Sequence, residues 1–159
     1  MKYRRINIGF ALFFSVLFTL LACTQKKTYT VGKPGDQTAS LTFPNFIEIG
    51  RFDGDSVENI FTRILYEGKK ELVFAAGTHI VELRYKDIWD IDDDDHENIV
   101  SPYVTLQFDA GPGNAYEISV DRPKDRQSAH ALASHFKAAI IDVRTKKIVS
   151  RLAEGPTTN

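Results

Sequence analysis

Beyond residue 40 the chain alternates hydrophobic and polar positions with a period of two over most of its length. This period is typical of β-strands that bury one side and expose the other. Residues 78–86 show it best, with one side formed by Val81, Leu83 and Tyr85. The same period predicts five further strands, whose buried sides are Ile47 and Ile49; Leu72 and Phe74; Val104, Leu106 and Phe108; Tyr116, Ile118 and Val120; and Ile141 and Val143.

Turn residues separate these strands. Asp53-Gly54 suits a tight hairpin because glycine readily adopts the positive φ that such turns need. Gly77 and residues 111–114 stand between other strand-like runs. Residues 144–147 are predicted to turn a last hairpin in which residues 139–143 pair with residues 148–152.

One helix is predicted over residues 127–137. Its apolar positions recur at the helical spacing, at Ala129, Leu132, Ala133 and Phe136. Asp125 is placed to cap the free amides at its start. Residues 57–66 are ambiguous, and we predict a strand over residues 61–66.

These elements predict a mainly β fold, an antiparallel β-sandwich of about seven strands with one short helix in the C-terminal half. We place this domain at residues 40–151, followed by a disordered tail at residues 152–159. The sequence shows no internal repeat.

The first 22 residues have the three-part pattern of a secretory signal. The positive start consists of Lys2, Arg4 and Arg5. An uncharged run of 15 residues then extends from Ile8 to Ala22. As a helix this run would reach about 22 Å, less than the hydrocarbon core of about 30 Å. The pattern predicts a signal peptide at residues 1–22, with a retained membrane helix as the alternative.

Residues 20–23, Leu-Leu-Ala-Cys, resemble the lipobox of bacterial lipoproteins. The resemblance implies that Cys23 is the site of lipid attachment and becomes the mature N-terminus. Two or more acyl chains hold a protein stably on a membrane. Thr24 follows, rather than the Asp of an inner-membrane retention signal, so we expect a lipid-anchored protein of the bacterial cell envelope, at the outer rather than the inner membrane.

Residues 23–39 contain Pro34 and Gly35 and no apolar period. We interpret them as the lipidated N-terminus and a flexible tether. The alternative is an edge strand at residues 28–31.

Composition excludes several classes of protein. The 159 residues are 43% hydrophobic and 26% charged, with a formal net charge of -1. That size fits one domain, and the charge supplies no basic face for a nucleic acid. A single cysteine excludes internal disulfides and paired-thiol zinc sites.

No motif for catalysis or for a cofactor is found. The chain has no Gly-x-Ser-x-Gly elbow, no phosphate-binding loop and no His-Glu-x-x-His pair. His130 and His135 lie about 140° apart around a regular helix, so we interpret them as its polar flank rather than as joint metal ligands. His79 is predicted to be a partly buried strand residue or turn partner. We therefore expect no enzymatic activity, no cofactor and no metal-binding residues.

Residues 90–97 form an acidic loop, Asp-Ile-Asp-Asp-Asp-Asp-His-Glu. Carboxylates this close repel one another and either remain solvated or gather a hard cation such as calcium. The EF-hand register fails, because the glycine position holds Asp95 and the last ligand position holds Ser101. Ile88 and Trp89, just before the loop, are predicted to belong to the core, with an exposed binding tip as the alternative.

Several segments taken together resemble the YccT-like family of small secreted domains, named in part after a curli synthesis inhibitor. They are residues 41–54, 71–85, 100–108 and the helix at 129–136. The resemblance runs over residues 40–151 and implies a periplasmic, non-enzymatic domain. It carries no established catalytic or binding positions. The lipobox is a departure from the soluble, signal-cleaved members.

The predicted function is that of a lipid-anchored envelope protein whose β-domain contacts another envelope protein. Exposed strand edges offer a route, because they can accept an extended segment of a partner. The family resemblance would make this a role in surface fibre or envelope assembly. The alternative is a small-ligand or calcium-binding module that uses the acidic loop 90–97.

Overall fold

The computed structural model describes residues 27–31, 37–57, 68–92 and 94–153. These residues contain eleven strands and one helix, α1 (Arg126–Ser134). The strands are β1 (Lys27–Thr30), β2 (Thr38–Phe43), β3 (Ile47–Phe52), β4 (Asp55–Ser56), β5 (Lys70–Ala75), β6 (Gly77–Asp90), β7 (His96–Val100), β8 (Val104–Ala110), β9 (Ala115–Ser119), β10 (Ala139–Asp142) and β11 (Ser150–Leu152).

The strands form two sheets. The five-stranded sheet has the order β1-β5-β2-β9-β10, and the six-stranded sheet has the order β11-β8-β6-β3-β4, with β7 paired to the far end of β6. The predicted mainly β, sandwich-like fold with one short helix is confirmed. Most pairs are antiparallel, but β1 joins β5 and β2 joins β9 in parallel. The described residues contain more strands than the seven predicted. Several of them are only two to five residues long, too short to show a clear alternation in the sequence.

The core follows from the period of two. In β6 the inward residues His79, Val81, Leu83 and Tyr85 are buried, while the residues between them are half-buried or exposed. At the centre of the core the ring of Phe74 lies 4.9 Å from that of Phe52 and 5.9 Å from that of Phe108. Tilted and edge-on aromatic pairs at these distances add to the stabilisation that burial provides.

The turns have the predicted chemistry. Asp53 and Gly54 both have positive φ, 53° and 88°, as a two-residue hairpin between β3 and β4 requires. Gly77 begins β6 with φ 147°, a backbone conformation that is strained for any residue with a side chain. The chain passes there from the five-stranded to the six-stranded sheet.

Helix α1 begins where the sequence predicts. Asp125 is its N-cap and accepts a hydrogen bond from the Ser128 amide at 2.7 Å, while the Ser128 hydroxyl accepts one from the Asp125 amide at 3.1 Å. This reciprocal pair satisfies two amides that the helix itself leaves free. The helix ends at Ser134, three residues before the predicted end.

The prediction for the last hairpin is wrong in two respects. First, Ile140 and Asp142 face inward in β10, whereas Ile141 and Val143 do not. Asp142 lies two residues from Ile140 and so faces the same side of β10, and its carboxylate accepts a 2.7 Å hydrogen bond from the Thr145 amide across the turn. Second, only the turn end of the hairpin forms: the Asp142 and Val149 amides donate to the Lys147 and Ile140 carbonyls around a bridge between Ile141 and Ile148. Beyond this bridge β10 pairs with β9 and β11 pairs with β8.

The ends of the chain differ from the predicted division in part. Within the predicted tether 23–39, residues 27–30 form edge strand β1, close to the alternative edge strand at 28–31, and β2 begins at Thr38. At the other end, Leu152 belongs to β11. The predicted signal peptide 1–22, Cys23, the predicted strand 61–66 and residues 154–159 lie outside the described residues.

Candidate binding groove beside strand β7

Strand β7 pairs on one side with the far end of β6, from Lys86 opposite Val100 to Asp90 opposite His96. Just beyond this pairing the Ser101 amide donates to the Tyr85 carbonyl at 3.0 Å. Antiparallel pairs alternate between hydrogen-bonded and non-hydrogen-bonded positions, so the amides and carbonyls of Asn98 and Val100 point away from β6. No strand of the described segments pairs with this outer edge.

A groove runs along the same edge, between β7 and α1. Its first part has a volume of about 350 Å³ and is lined by Asn98, Ile99, Val100, Pro102, His130, Ala133 and Ser134. A second part of about 220 Å³ shares three of these residues and adds Val104, His135, Phe136 and Lys137. The groove therefore joins an apolar floor to strand groups that are able to pair with another chain.

The helix is held against the β6–β7 hairpin by small buried residues, with an ion pair above them. Ala129 is fully buried and Ala133 nearly so, which lets the helix approach Ile99 closely. Above this contact the Glu97 carboxylate lies 3.1 Å from His130 Nε2 and 3.8 Å from Arg126 Nε. These groups are about half-exposed, so packing rather than the ion pairs holds the helix in place.

The groove carries charge of opposite sign at its two ends. The β6–β7 loop adds the carboxylates of Asp92, Asp94 and Asp95 beside the start of β7. The exposed Lys137 lines the second part of the groove, at the other end. An extended segment with basic and acidic side chains in matching order would complement this arrangement.

The acidic loop 90–97 is organised as a hairpin turn. Asp92 Oδ1 accepts hydrogen bonds of 3.0 Å from the amides of Asp94 and Asp95. Ile91 donates to the Asp95 carbonyl at 2.8 Å, and His96 Nδ1 lies 2.9 Å from Asp90 Oδ1. Asp93 lies outside the described residues. No group of three or more His, Cys, Asp or Glu side chains in the described segments could hold a metal ion.

Inward side chains of β6 continue past the core toward this loop. Trp89 is half-buried, packs against the core and donates a 2.9 Å hydrogen bond to the Tyr85 hydroxyl. Its predicted place in the core is confirmed in part, since it packs against the core without being fully buried. The same prediction is wrong for Ile88, which points outward and is exposed. Burial raises the pKa of the Tyr85 hydroxyl. Burial also raises the pKa of the Asp87 carboxyl, against the smaller effects of the Ile88 amide and of Arg122.

The outer face of the six-stranded sheet carries a second polar cluster. Glu48 on β3 pairs with Arg84 and Lys86 on β6 and accepts a 3.1 Å hydrogen bond from the Tyr103 hydroxyl. The Arg84 guanidinium lies 4.4 Å from the centre of the Tyr103 ring. Burial of Glu48 works against its ionisation, but the hydrogen bonds and charges of Lys86 and Arg84 outweigh it and lower its pKa.

The histidines lie where the sequence predicts. His79 is buried on β6, with Nδ1 2.7 Å from Asp53 Oδ2 and Nε2 2.8 Å from the Ala75 carbonyl oxygen. His130 is on the exposed side of α1, and His135 is the residue at its C-terminal cap. The sequence did not predict that the partner of His79 is Asp53, which lies 26 residues earlier in the chain.

The groove itself was missed. Asn98, Val100 and Pro102 have no recognisable motif, and their role depends on which side of β7 stays unpaired. Pairing across a sheet leaves no local sequence signal, so only the structure identifies this edge. None of the described helices has the length and hydrophobicity to cross a membrane.

Comparison with protein families places residues 40–155 within a family described as "Uncharacterized protein conserved in bacteria (DUF2057)". Comparison with curated proteins and with solved structures found no significant match.

Proposed function

The chain belongs to the DUF2057 family of uncharacterized proteins conserved in bacteria, and on this premise we propose that it is a non-enzymatic binding domain of the cell envelope. Its partner is an extended segment of another envelope protein, which adds to the outer edge of β7 and lies in the groove beside α1. The observation that supports this proposal most directly is the coincidence of that edge with the groove.

Strand addition would use both the main-chain groups of β7 and the space beside them. Main-chain hydrogen bonds to Asn98 and Val100 would supply affinity, and side chains of the added segment would enter the space under Pro102 and Ala133. Val100 is 41% exposed and would be covered by the partner. The charge pattern favours a segment with a basic residue at the acidic loop and an acidic residue near Lys137.

The partner class is a fibre-forming subunit of the cell surface. This part of the proposal rests on the resemblance to the YccT-like family and on the chemistry of strand edges. A domain that covers the edge of such a subunit would stop the next copy from adding, since fibres of this kind grow by strand pairing.

Attachment to a membrane through lipid on Cys23 would place the domain where such subunits pass, and the outer membrane is the location we propose. Mass analysis of the purified protein is expected to show cleavage before Cys23 and acylation of its thiol. An intact chain with a free thiol would overturn the anchored part of the proposal and leave the groove untouched.

The binding test uses photo-crosslinking in cells, with the crosslinker at Asn98. We expect one envelope protein to be captured through an extended segment and its capture to be lost in Val100→Lys, because an edge lysine discourages strand addition. Ile80→Lys is the matched control, since Ile80 is 45% exposed but lies on the central strand β6. Equal loss in both variants, or loss in neither, would contradict the proposal.

A backbone variant separates strand pairing from side-chain contact. Asn98→Pro removes an amide that points away from β6, so the fold should persist while capture fails. Ile99→Pro is the comparison, because its amide faces Asp87 on β6 and the change should weaken the hairpin itself. With a purified curli-type subunit, the wild-type domain should delay fibre growth and Asn98→Pro should not.

A further inference from the structure

A cleft lies at another part of the molecule and shares no lining residue with the groove beside β7. It has a volume of about 290 Å³ and is formed by the β2–β3 connection, the end of β9 and the segment that follows β9. The lining residues that matter for binding are Pro44, Phe46, Glu117, Val120 and Arg122. The volume is at the lower end of the range for ligand pockets, which indicates a small ligand.

The floor of the cleft is apolar and already ordered. Phe43, Phe46 and Ile118 are almost fully buried in the core, and the Phe46 ring lies 6.1 Å from that of Tyr85. A ligand in the cleft would cover the apolar surface that Pro44 and Val120, both half-buried, leave in contact with water, without rearranging the protein.

The charged residues that line the cleft are Lys69, Glu117 and Arg122. Glu117 is shared by two lysines, with carboxylate oxygens 3.8 Å from Lys69 Nζ and 3.8 Å from Lys146 Nζ. The Arg122 guanidinium lies 5.7 Å from the centre of the Phe46 ring. Among the described residues no carboxylate forms an ion pair with Arg122. The Asp87 carboxylate is near enough to interact with Arg122 electrostatically.

Arg122 is therefore an exposed guanidinium at the mouth of the cleft, to which the described residues form no ion pair. A planar guanidinium binds a carboxylate through two parallel hydrogen bonds. We propose that the cleft binds a small organic monocarboxylate with an apolar chain, whose carboxylate pairs with Arg122 and whose chain covers Pro44 and Val120. The cation–π contact with Phe46 restricts the guanidinium before the ligand arrives, which lowers the ordering entropy that binding must overcome.

The test is a titration of the full chain with octanoate, followed through the amide resonances of residues 115–122. Binding should shift these resonances, and octanamide, which has the same chain without the charge, should bind at least about tenfold more weakly. Arg122→Gln should weaken octanoate binding by a similar factor and leave octanamide unchanged. Arg51→Gln is the matched control, because Arg51 is exposed on β3 in the other sheet.

Asp87→Asn provides a second measurement. Removing the carboxylate that opposes an anion near Arg122 should tighten octanoate binding while octanamide binding stays the same. Equal affinity of the acid and the amide, an unchanged affinity in Arg122→Gln, or shifts that avoid residues 115–122 would each overturn the proposal. Capture of a protein at β7 has no bearing on these outcomes, so the two proposals fail independently.

Discussion

The carboxylate of Asp53 bridges two strands through His79: Oδ2 lies 2.7 Å from the buried imidazole Nδ1, and Oδ1 accepts a 2.8 Å hydrogen bond from the Ile80 amide. The same residue has positive φ in the β3–β4 turn. One side chain thus fixes the turn and satisfies the polar group of a residue packed against Phe52, Phe74 and Phe108.

Replacement of Asp53 should therefore destabilise the domain. Asp53→Ala is expected to lower the free energy of unfolding by about 1 to 3 kcal/mol, because it leaves a buried ring nitrogen without a partner. Asp53→Asn should cost less, since asparagine tolerates positive φ and keeps one acceptor oxygen. Urea unfolding measures both variants, with the exposed Asp55→Asn as the control. A loss in Asp55→Asn as large as in Asp53→Ala would contradict this role.

Glu48 predicts a loss of stability in acid. Its pKa is lower in the folded state than its ordinary value of 4.5. An acid of this kind contributes stability that is fully present above its unfolded pKa and is lost as the pH falls through the folded pKa. Glu48→Gln should therefore lower Tm near neutral pH and have little effect in strong acid. Glu82→Gln is the control, because Glu82 lies on the same face of β6 as Arg84 and Lys86 but does not pair with them.

Asp87 predicts the opposite sign. Burial raises its folded pKa above its ordinary value of 3.8, so ionisation at neutral pH disfavours the folded state. Asp87→Asn should raise Tm near neutral pH, and the gain should disappear as the pH falls below that ordinary value. The exposed Asp121→Asn serves as the control, and an equal gain in both variants would show only a change in net charge.

The aromatic centre of the core predicts the largest single effect. Phe74→Ala removes a ring that contacts Phe52, His79 and Phe108, and it should cost about 3 to 5 kcal/mol. Ile148→Ala should stay within about 0.5 kcal/mol of the wild type, because its side chain is 67% exposed. Phe74→Leu gives an intermediate loss if the alanine variant does not fold.

The reciprocal hydrogen bonds between Asp125 and Ser128 stabilise the start of α1, and α1 forms one wall of the groove. Ser128→Ala removes the acceptor of the Asp125 amide, so hydrogen exchange at the start of α1 should become faster. Capture through Asn98 should then weaken, since α1 forms one wall of the groove. Lys124→Ala, just outside the helix, should change neither measurement.

Local patterns predicted the individual elements well. The alternation along β6 identified its buried side, and Asp125 marked the start of α1, because both signals lie within a few neighbouring residues. In β10 the same rule failed. The buried side of β10 is that of Ile140 and Asp142 rather than that of Ile141, and a hydrogen bond from the Thr145 amide satisfies the inward carboxylate.

The pairing between strands was predicted less well than the strands themselves. Residues 148–152 were expected to complete a hairpin with β10, yet β11 pairs with β8, some forty residues earlier in the sequence. The outer edge of β7 and the setting of Arg122 depend on the same kind of distant pairing. Sequence patterns therefore identified the buried residues, while the candidate sites, built where strands stop pairing, required the structure.

The parallel pairing of β2 with β9 has a consequence for biosynthesis. β2 is the second strand of the chain, yet one of its neighbours is formed by residues 115–119. A nascent polypeptide that has emerged only as far as β8 cannot complete the five-stranded sheet, and its early strands present bare edges while synthesis or translocation continues. Those edges stay unpaired until the last third of the chain has appeared, so we expect this stage to be the one most exposed to aggregation.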